Sequence, residues 1–216
     1  MNYDRIAPGY AALAQCYSLG RIRACKRWQL RELAAGDRVL YAGAGPGEDA
    51  LWAARLGARV TVVELAPRMR ALAAARFRAA SLDRVIELIP GDLLDHHREG
   101  HYDRVACNFF LNVFPEPAMV RMLAHLGRLL RYDGKLLLAD FAPPGANPLG
   151  RALRRAHFGL AVRAFRVLAG NPVHPLYDYA PRLPAAGLRP EASQDFGLFG
   201  LALYRTLTAR RTMLLP

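Results

Sequence analysis

The sequence predicts one α/β domain built around a mostly parallel sheet, and three observations support this fold class. Short apolar segments alternate with longer segments of helical periodicity between residues 39 and 141. A glycine-rich turn follows the first apolar segment, as in βα units that bind ligands. The chain has 216 residues, which is enough for one such domain with a sizeable core, whereas two full domains would be cramped.

The composition indicates the cellular location and the kinds of partner to expect for this domain. The net charge of +12 comes mostly from arginines scattered among alanines, and no nucleic-acid recognition module is visible. Three cysteines, Cys16, Cys25 and Cys107, lie far apart and form no CxxC pair, which is typical of buried thiols in a reducing cytosol. We see no signal-peptide pattern and no apolar run long enough to cross a bilayer. We therefore expect a cytoplasmic protein, either soluble or peripheral to the inner face of the membrane.

Residues 1–34 are predicted to form a helical cap before the first strand. Two helices are expected there, with a break near Ser18-Leu19-Gly20. The second helix places basic residues around Trp28, and this amphipathic pattern favours a solvated basic face beside a core-facing stripe.

The first strand and the turn after it are the centre of the predicted fold. Residues 39–42 are an apolar run suited to a strand buried on both faces, and Gly43, Gly45 and Gly47 follow before a helix begins at Glu48. The amides that open a helix lack internal partners, so such a turn can bind an anion or a nucleoside cofactor. Its spacing fits neither the dinucleotide G-x-G-x-x-G turn nor a P-loop. An ordinary βα turn without a ligand is the alternative.

The second strand ends in an acid at a distance that suits a cofactor. Residues 48–56 are predicted to form a helix that stops at Gly57, and residues 59–64 form the strand. Its last residue, Glu64, follows Gly43 by 21 positions and has Leu65 beside it. An acid at this spacing can accept hydrogen bonds from both ribose hydroxyls of an adenosine cofactor. A surface acid before the next helix is the alternative.

The third strand is expected at residues 85–89, after a helix over residues 67–80 with a proline in its first turn. Asp92 follows this strand, where its carboxylate can bind the exocyclic amine of adenine while the amide of Leu93 meets a ring nitrogen. An aspartate that caps a turn is equally consistent with the sequence.

The fourth strand is predicted over residues 102–107 and leads into an aromatic segment. Asn108 then lies at the mouth of the ligand crevice, near the reacting end of a cofactor. Phe109, Phe110 and Phe114 either wall a pocket or pack in the core.

The histidines before the fourth strand do not predict a metal site. His97 and His101 have the helical spacing of metal ligands, but Gly100 lies between them and a strand follows directly. We therefore expect no metal in this protein.

The fifth strand is predicted over residues 135–141, after a helix over residues 117–130. A segment rich in proline and glycine then ends the β-α alternation, so residues 142–187 are interpreted as a helical insertion on the substrate side. Within it, residues 151–168 carry two apolar edges among arginines, which suits a membrane surface or a lid over a lipophilic substrate. A helix buried from two sides is the alternative.

The chain is predicted to close with an antiparallel hairpin at residues 188–208. Its strands are expected over residues 188–196 and 199–207, with the turn at Gly197 and a helix ending near Gly187 before it. The five preceding strands and this hairpin give a seven-stranded sheet.

The arrangement resembles the class I S-adenosylmethionine (SAM)-dependent methyltransferases. Within that fold the chain looks most like the ubiquinone/menaquinone biosynthesis C-methyltransferase group and its small-molecule relatives. This resemblance rests on residues 3–10, on Ser18-Leu19-Gly20 followed by Arg21 and Trp28, and on residues 183–188. The resemblance implies a Rossmann-like fold with a SAM-binding core over residues 35–141. It also implies methyl transfer from SAM to a small lipophilic or aromatic acceptor of the quinone-precursor type.

The resemblance further implies roles for individual residues. The glycine turn would hold the methionine part of SAM, Glu64 the ribose, and Asp92 with Leu93 the adenine. The predicted cofactor-binding residues are Tyr41, Gly43, Ala44, Gly45, Gly47, Glu64, Leu65, Asp92, Leu93 and Asn108.

Two positions depart from the family pattern. Tyr41 stands where the family usually carries an acid that helps to orient the methionine moiety, so we expect this chain to differ at the methionine end of the pocket. Asn112 stands near a position at which many relatives carry histidine, so the quinone group's own substrate is not carried over.

Methyl transfer to a phenol or an aromatic carbon is helped by a general base. Tyr10, His157, His174 and Tyr177 are the candidates, because they lie on segments expected to cover the site. Methylation of a phospholipid amine is an alternative function, and a degenerate methyltransferase fold that serves as a binding protein is another. Nucleic-acid methylation is disfavoured because Asn108-Phe109-Phe110 lacks the Asn-Pro-Pro-aromatic pattern of amino-methylating DNA enzymes.

Overall fold

The computed structural model describes residues 17–143, 152–154, 158–159, 176–198 and 200–212. The helices are α1 (Arg21–Trp28), α2 (Glu48–Arg55), α3 (Pro67–Ala79) and α4 (Glu116–Leu129). The strands are β1 (Arg38–Ala42), β2 (Arg59–Glu64), β3 (Ile86–Pro90), β4 (Tyr102–Asn108), β5 (Leu130–Phe141), β6 (Leu188–Leu198) and β7 (Leu201–Arg211).

These strands form one seven-stranded sheet with the order β3-β2-β1-β4-β5-β7-β6. The first five strands pair in parallel, whereas β7 runs antiparallel between β5 and β6. The prediction of a mostly parallel sheet closed by an antiparallel hairpin is therefore confirmed.

The first strand is buried on both faces, as its composition predicts. Val39 and Tyr41 join a core with residues of α2 and α3, while Leu40 and Ala42 join a second core with residues of α4. Successive side chains of a strand point to opposite faces, so β1 anchors both helical layers. A third cluster packs Cys25 of α1 against the hairpin.

The start of β5 differs from the prediction. The strand was predicted to begin at residue 135, after a helix over residues 117–130, but β5 already begins at Leu130, which pairs with Tyr102 of β4. The register shifts between Tyr102 and Arg104, and Asp133 has a φ of 64°. Pairing with β4 thus overrides the local turn signal of Asp133-Gly134, which produces an irregular strand instead.

The hairpin pairs as predicted, but its turn is elsewhere and its second strand reaches Arg211. Gly197 lies within β6 opposite Ala202, next to a register shift. A Cβ atom at Gly197 would lie 1.8 Å from the carbonyl oxygen of Leu201. The glycine is therefore required by close backbone approach at an irregular pair and not by a turn.

Two further expectations concern the segment before the hairpin. The predicted helix ending near Gly187 is instead a pair of short 3₁₀ turns, Ala180–Arg182 and Pro184–Ala186. Pro184 has no amide hydrogen with which to continue a helix from the first turn. Most of residues 151–168 lies outside the described residues. Of the parts described, Leu153 is 53% exposed, whereas Phe158 is 4% exposed and packs on Phe141.

Candidate functional site

A cavity of about 410 Å³ lies at the carboxyl ends of β1 to β4, and this size suits a cofactor. All but one of the predicted cofactor-binding residues line it. They are Tyr41, Gly43, Ala44, Gly45, Glu64, Leu65, Asp92, Leu93 and Asn108. Gly47 does not line the cavity.

Two glycines of the turn have different structural roles. Gly43 has a φ of 62°, and a Cβ atom there would lie 2.4 Å from the ring of Phe110. Gly47 caps α2 in the left-handed region, and a Cβ atom there would lie 2.7 Å from the ring of Phe77 in α3. Gly43 therefore keeps the cavity wall in place, whereas Gly47 permits α2 and α3 to pack together.

The side chain of Glu64 is hydrogen-bonded to the glycine turn. Its side chain accepts hydrogen bonds from the amide of Gly45 at 2.8 Å and from the amide of Ala66 at 2.9 Å. Burial raises the pKa of Glu64, and these amide bonds oppose that shift. A carboxylate has more than two lone-pair sites, so Glu64 can also accept hydrogen bonds from a ligand while the amides fix its orientation.

Asp92 caps a turn, as one of its two alternatives predicts, and it also lines the cavity. Its Oδ1 atom accepts a hydrogen bond from the amide of Leu94 at 2.9 Å and caps the short 3₁₀ turn Leu93–Asp95. The same residue lines the cavity beside buried Leu93. The cap thus holds the carboxylate at the cavity edge.

Lys26, Asp49 and Asn108 form a polar cluster at the β4 side of the cavity, and the sequence predicted only Asn108 of these three. Asp49 is 4% exposed, pairs with Lys26 Nζ at 3.1 Å and accepts a hydrogen bond from Asn108 Nδ2 at 3.0 Å. The Oδ1 atom of Asn108 is buried and has no hydrogen-bond partner in the described part of the chain. Phe109, directly after Asn108, has a φ of 53°. This strained residue turns the chain where β4 meets the cavity.

Lys26 and Asp49 were missed because they belong to no motif. Lys26 is one of several basic residues on α1, and Asp49 resembles an ordinary acid in the first turn of α2. Tyr41 is buried in the same region, and burial followed by the charge of Asp49 raises its pKa. Only the tertiary structure brings these residues together.

The aromatic residues after β4 line the cavity. Phe109, Phe110 and Phe114 all contribute to its wall. The rings of Phe110 and Phe114 meet edge to face with centroids 5.1 Å apart, and Phe109 packs on Phe141 at 5.5 Å. They therefore wall the pocket and pack in the core at once.

Of the four candidate bases, only Tyr177 lies within the described residues, and it does not line this cavity. The hydroxyl of Tyr177 donates a hydrogen bond to the carbonyl oxygen of Phe114 at 3.0 Å, and Tyr177 lines a second cavity of about 190 Å³. Tyr10, His157 and His174 lie outside the described residues.

Asp140 is a buried acid that lines the second cavity. It accepts hydrogen bonds from Tyr179 Oη at 2.7 Å, from Asn112 Nδ2 at 2.6 Å and from the amide of Phe141 at 2.8 Å. Burial raises the pKa of Asp140 to about 6, against the effect of these bonds. Asn112 thus fixes a buried acid and does not line the cofactor-sized cavity.

Within the described ranges, no group of three or more ligating side chains could hold a metal ion. No helix among the residues described is long and apolar enough to cross a membrane.

The family of the domain follows from its sequence and its sheet order. Residues 39–134 match the family model described as a methyltransferase domain. The chain contains a class I SAM-dependent methyltransferase domain with the fold of that class, its cofactor is SAM, and its enzyme class is SAM-dependent methyltransferase.

Two curated relatives are similar to this chain. The demethylmenaquinone methyltransferase of Deinococcus radiodurans is 29% identical over 194 residues, which are 88% of this chain and 78% of the relative. The ubiquinone biosynthesis O-methyltransferase of Xanthomonas oryzae pv. oryzae is 36% identical over 131 residues. This second match covers 56% of the chain and about half, 54%, of the relative.

A solved structure shows the same fold. The 1,6-didemethyltoxoflavin-N1-methyltransferase of Burkholderia thailandensis has a TM-score of 0.66 and 24% identity, over 89% of this chain and 79% of that one. That structure contains 1,6-didemethyltoxoflavin and S-adenosylhomocysteine.

Proposed function

We propose that this methyltransferase acts on a small lipophilic or aromatic acceptor of the quinone-precursor type. The observation that carries the proposal is that carboxylates and aromatic rings line the same cavity. Glu64 and Asp92 supply the carboxylates, and Phe109, Phe110 and Phe114 supply apolar surface. Two relatives named for menaquinone and ubiquinone biosynthesis support the same acceptor class.

We also propose how the residues hold SAM. Glu64 binds the ribose hydroxyls, since its orientation is fixed by the amides of Gly45 and Ala66. Asp92 and the amide of Leu93 bind adenine, and Leu65 lies against the same half of the ligand. An apolar acceptor would then contact the phenylalanine wall.

SAM supplies a methyl group on a sulfonium, which is activated for in-line displacement. The chain's own task is to align the acceptor and exclude water. The three phenylalanines can do both, because Phe110 packs on Phe114 and Phe109 packs on Phe141. A base for a phenol or carbon acceptor remains a prediction that rests on Tyr10, His157, His174 and Tyr177.

Transfer of a labelled methyl group from SAM tests the acceptor class. The native protein should methylate reduced demethylated quinone analogues and leave vesicles of phosphatidylethanolamine unlabelled. Glu64→Gln should lose the labelling, whereas Glu87→Gln should keep it, because Glu87 pairs with Arg98 away from the cavity. Labelled phosphatidylethanolamine would contradict the proposal in favour of lipid-amine methylation, and SAM binding without transfer to any acceptor would favour a binding protein.

A further inference from the structure

We propose that Asp49, Lys26 and Asn108 form the site for the amino-acid part of SAM, with Asp49 taking over the charge that Tyr41 does not supply. The inference rests on the proposed placement of SAM, in which Glu64 and Asp92 hold the adenosine. The methionine part of the ligand must then extend toward the opposite end of the cavity, where these three residues lie.

The charges of the cluster match those of an amino acid. The α-ammonium group needs acceptors, and the α-carboxylate needs a cation. Asp49 offers a buried carboxylate, and Lys26 offers an ammonium group 3.1 Å from it. Their opposite charges, already paired in the protein, are complementary to a zwitterion that is itself neutral overall.

Asn108 gives an independent sign that a ligand belongs here. Its Nδ2 atom donates to Asp49, which fixes the amide orientation. Its Oδ1 atom is buried without a partner among the residues described. A buried acceptor without a donor costs free energy, and an α-ammonium group would provide the missing donor.

The position of Asp49 also explains how the chain tolerates Tyr41. Tyr41 is at the end of β1, buried against α2, and lines the same cavity as Asp49 in the first turn of that helix. The carboxylate at this end of the cavity is thus presented by the helix and not by the strand.

Binding of three ligands to purified variants tests the proposal by calorimetry. S-adenosylhomocysteine has the whole zwitterion, its decarboxylated analogue keeps only the amine, and 5′-methylthioadenosine has neither charged group. Asp49→Asn should weaken the first two ligands about 10- to 100-fold, because a charge-assisted hydrogen bond is lost. The affinity for 5′-methylthioadenosine should stay within about twofold of that of the native protein, and this result would also show that the variant is folded.

Lys26→Gln provides the complementary result. It should weaken S-adenosylhomocysteine about tenfold through the lost carboxylate contact, and it should not weaken the decarboxylated analogue. Glu48→Gln is the matched control, because Glu48 neighbours Asp49 on α2 but pairs with Arg23 outside the cavity. Its affinities for all three ligands should equal those of the native protein.

Two results would separate the failure of this inference from failure of the proposed cofactor placement. Equal weakening of S-adenosylhomocysteine and 5′-methylthioadenosine by Asp49→Asn, or no weakening of either, overturns the zwitterion site alone. If Glu64→Gln leaves 5′-methylthioadenosine binding unchanged, the placement of adenosine is wrong, and this inference is overturned with it.

Discussion

The acids near the ends of β2 and β3 are held in a different way from the acids on α2 and β5. Glu64 and Asp92 bond to backbone amides within the turns that carry them or within the glycine turn. Asp49 at the start of α2 and Asp140 on β5 bond mainly to side chains from distant elements, such as Lys26, Asn108 and Tyr179. The position of an acid held by the backbone can be predicted from a sequence motif. The position of an acid held by side chains depends on the whole fold.

This difference has a functional counterpart. Backbone amides are present whatever the local side chains are, so the end proposed for adenosine can be recognised in many sequences. Side-chain clusters can be exchanged residue by residue, which would let the ends proposed for methionine and for the acceptor vary. Tyr41 and Asn112, the two departures from the family pattern, both lie beside side-chain clusters.

The largest effect is expected from Glu64→Ala at the backbone-held end. Losing two charge-assisted hydrogen bonds to the ribose should weaken SAM about 1,000-fold, or ~4 kcal/mol. Titration calorimetry with SAM and with 5′-methylthioadenosine measures this, and both ligands should be affected equally. Glu87→Ala, on the neighbouring strand, should change neither. A loss confined to SAM would instead place Glu64 at the amino-acid part and reverse the comparison.

The next largest effect is expected at Asp140, in the pH dependence of the free energy of unfolding. Its folded-state pKa of about 6 is above the ordinary value, so the folded protein binds this proton more tightly than the unfolded chain. Its stabilising effect is full below about pH 4 and is lost as pH rises to about 6, by about 3 kcal/mol in total. Denaturant unfolding of the native protein and of Asp140→Asn across this range should show their difference in unfolding free energy falling with pH. A flat difference would mean that the three donors offset burial completely.

The smallest effect is expected for the difference in stability between two glycine-to-alanine variants. Gly43→Ala and Gly36→Ala both place alanine at positive φ, but a Cβ atom contacts Phe110 only at Gly43 and nothing within 4 Å at Gly36. Both should lose about 1 kcal/mol of stability from backbone strain, and Gly43→Ala about 2 kcal/mol more from the clash. Thermal unfolding measures this, and SAM affinity should fall for Gly43→Ala alone. Equal losses would show that the Phe110 wall moves freely.

Most strands were predictable, and the errors have a common cause. β1 and β2 follow from apolar runs that must be buried on both faces. The predicted start of β5 and the predicted position of the hairpin turn were wrong, because Leu130 and Gly197 take their conformations from neighbouring strands. Local turn residues such as Asp133-Gly134 predict a turn, and only the partner strand converts them into an irregular pair.

By itself, the sequence determined the order of strands and helices along the chain, the glycine turn, and two acids, Glu64 at the end of β2 and Asp92 after β3. These depend on short-range periodicity and on spacing along the chain. Only the tertiary structure decided that Lys26, Asp49 and Asn108 share one end of the cavity and that Tyr177 faces a second one. The reason is physical: ion pairs and side-chain hydrogen bonds act over a few ångströms in space, and spacing along the chain does not encode those distances.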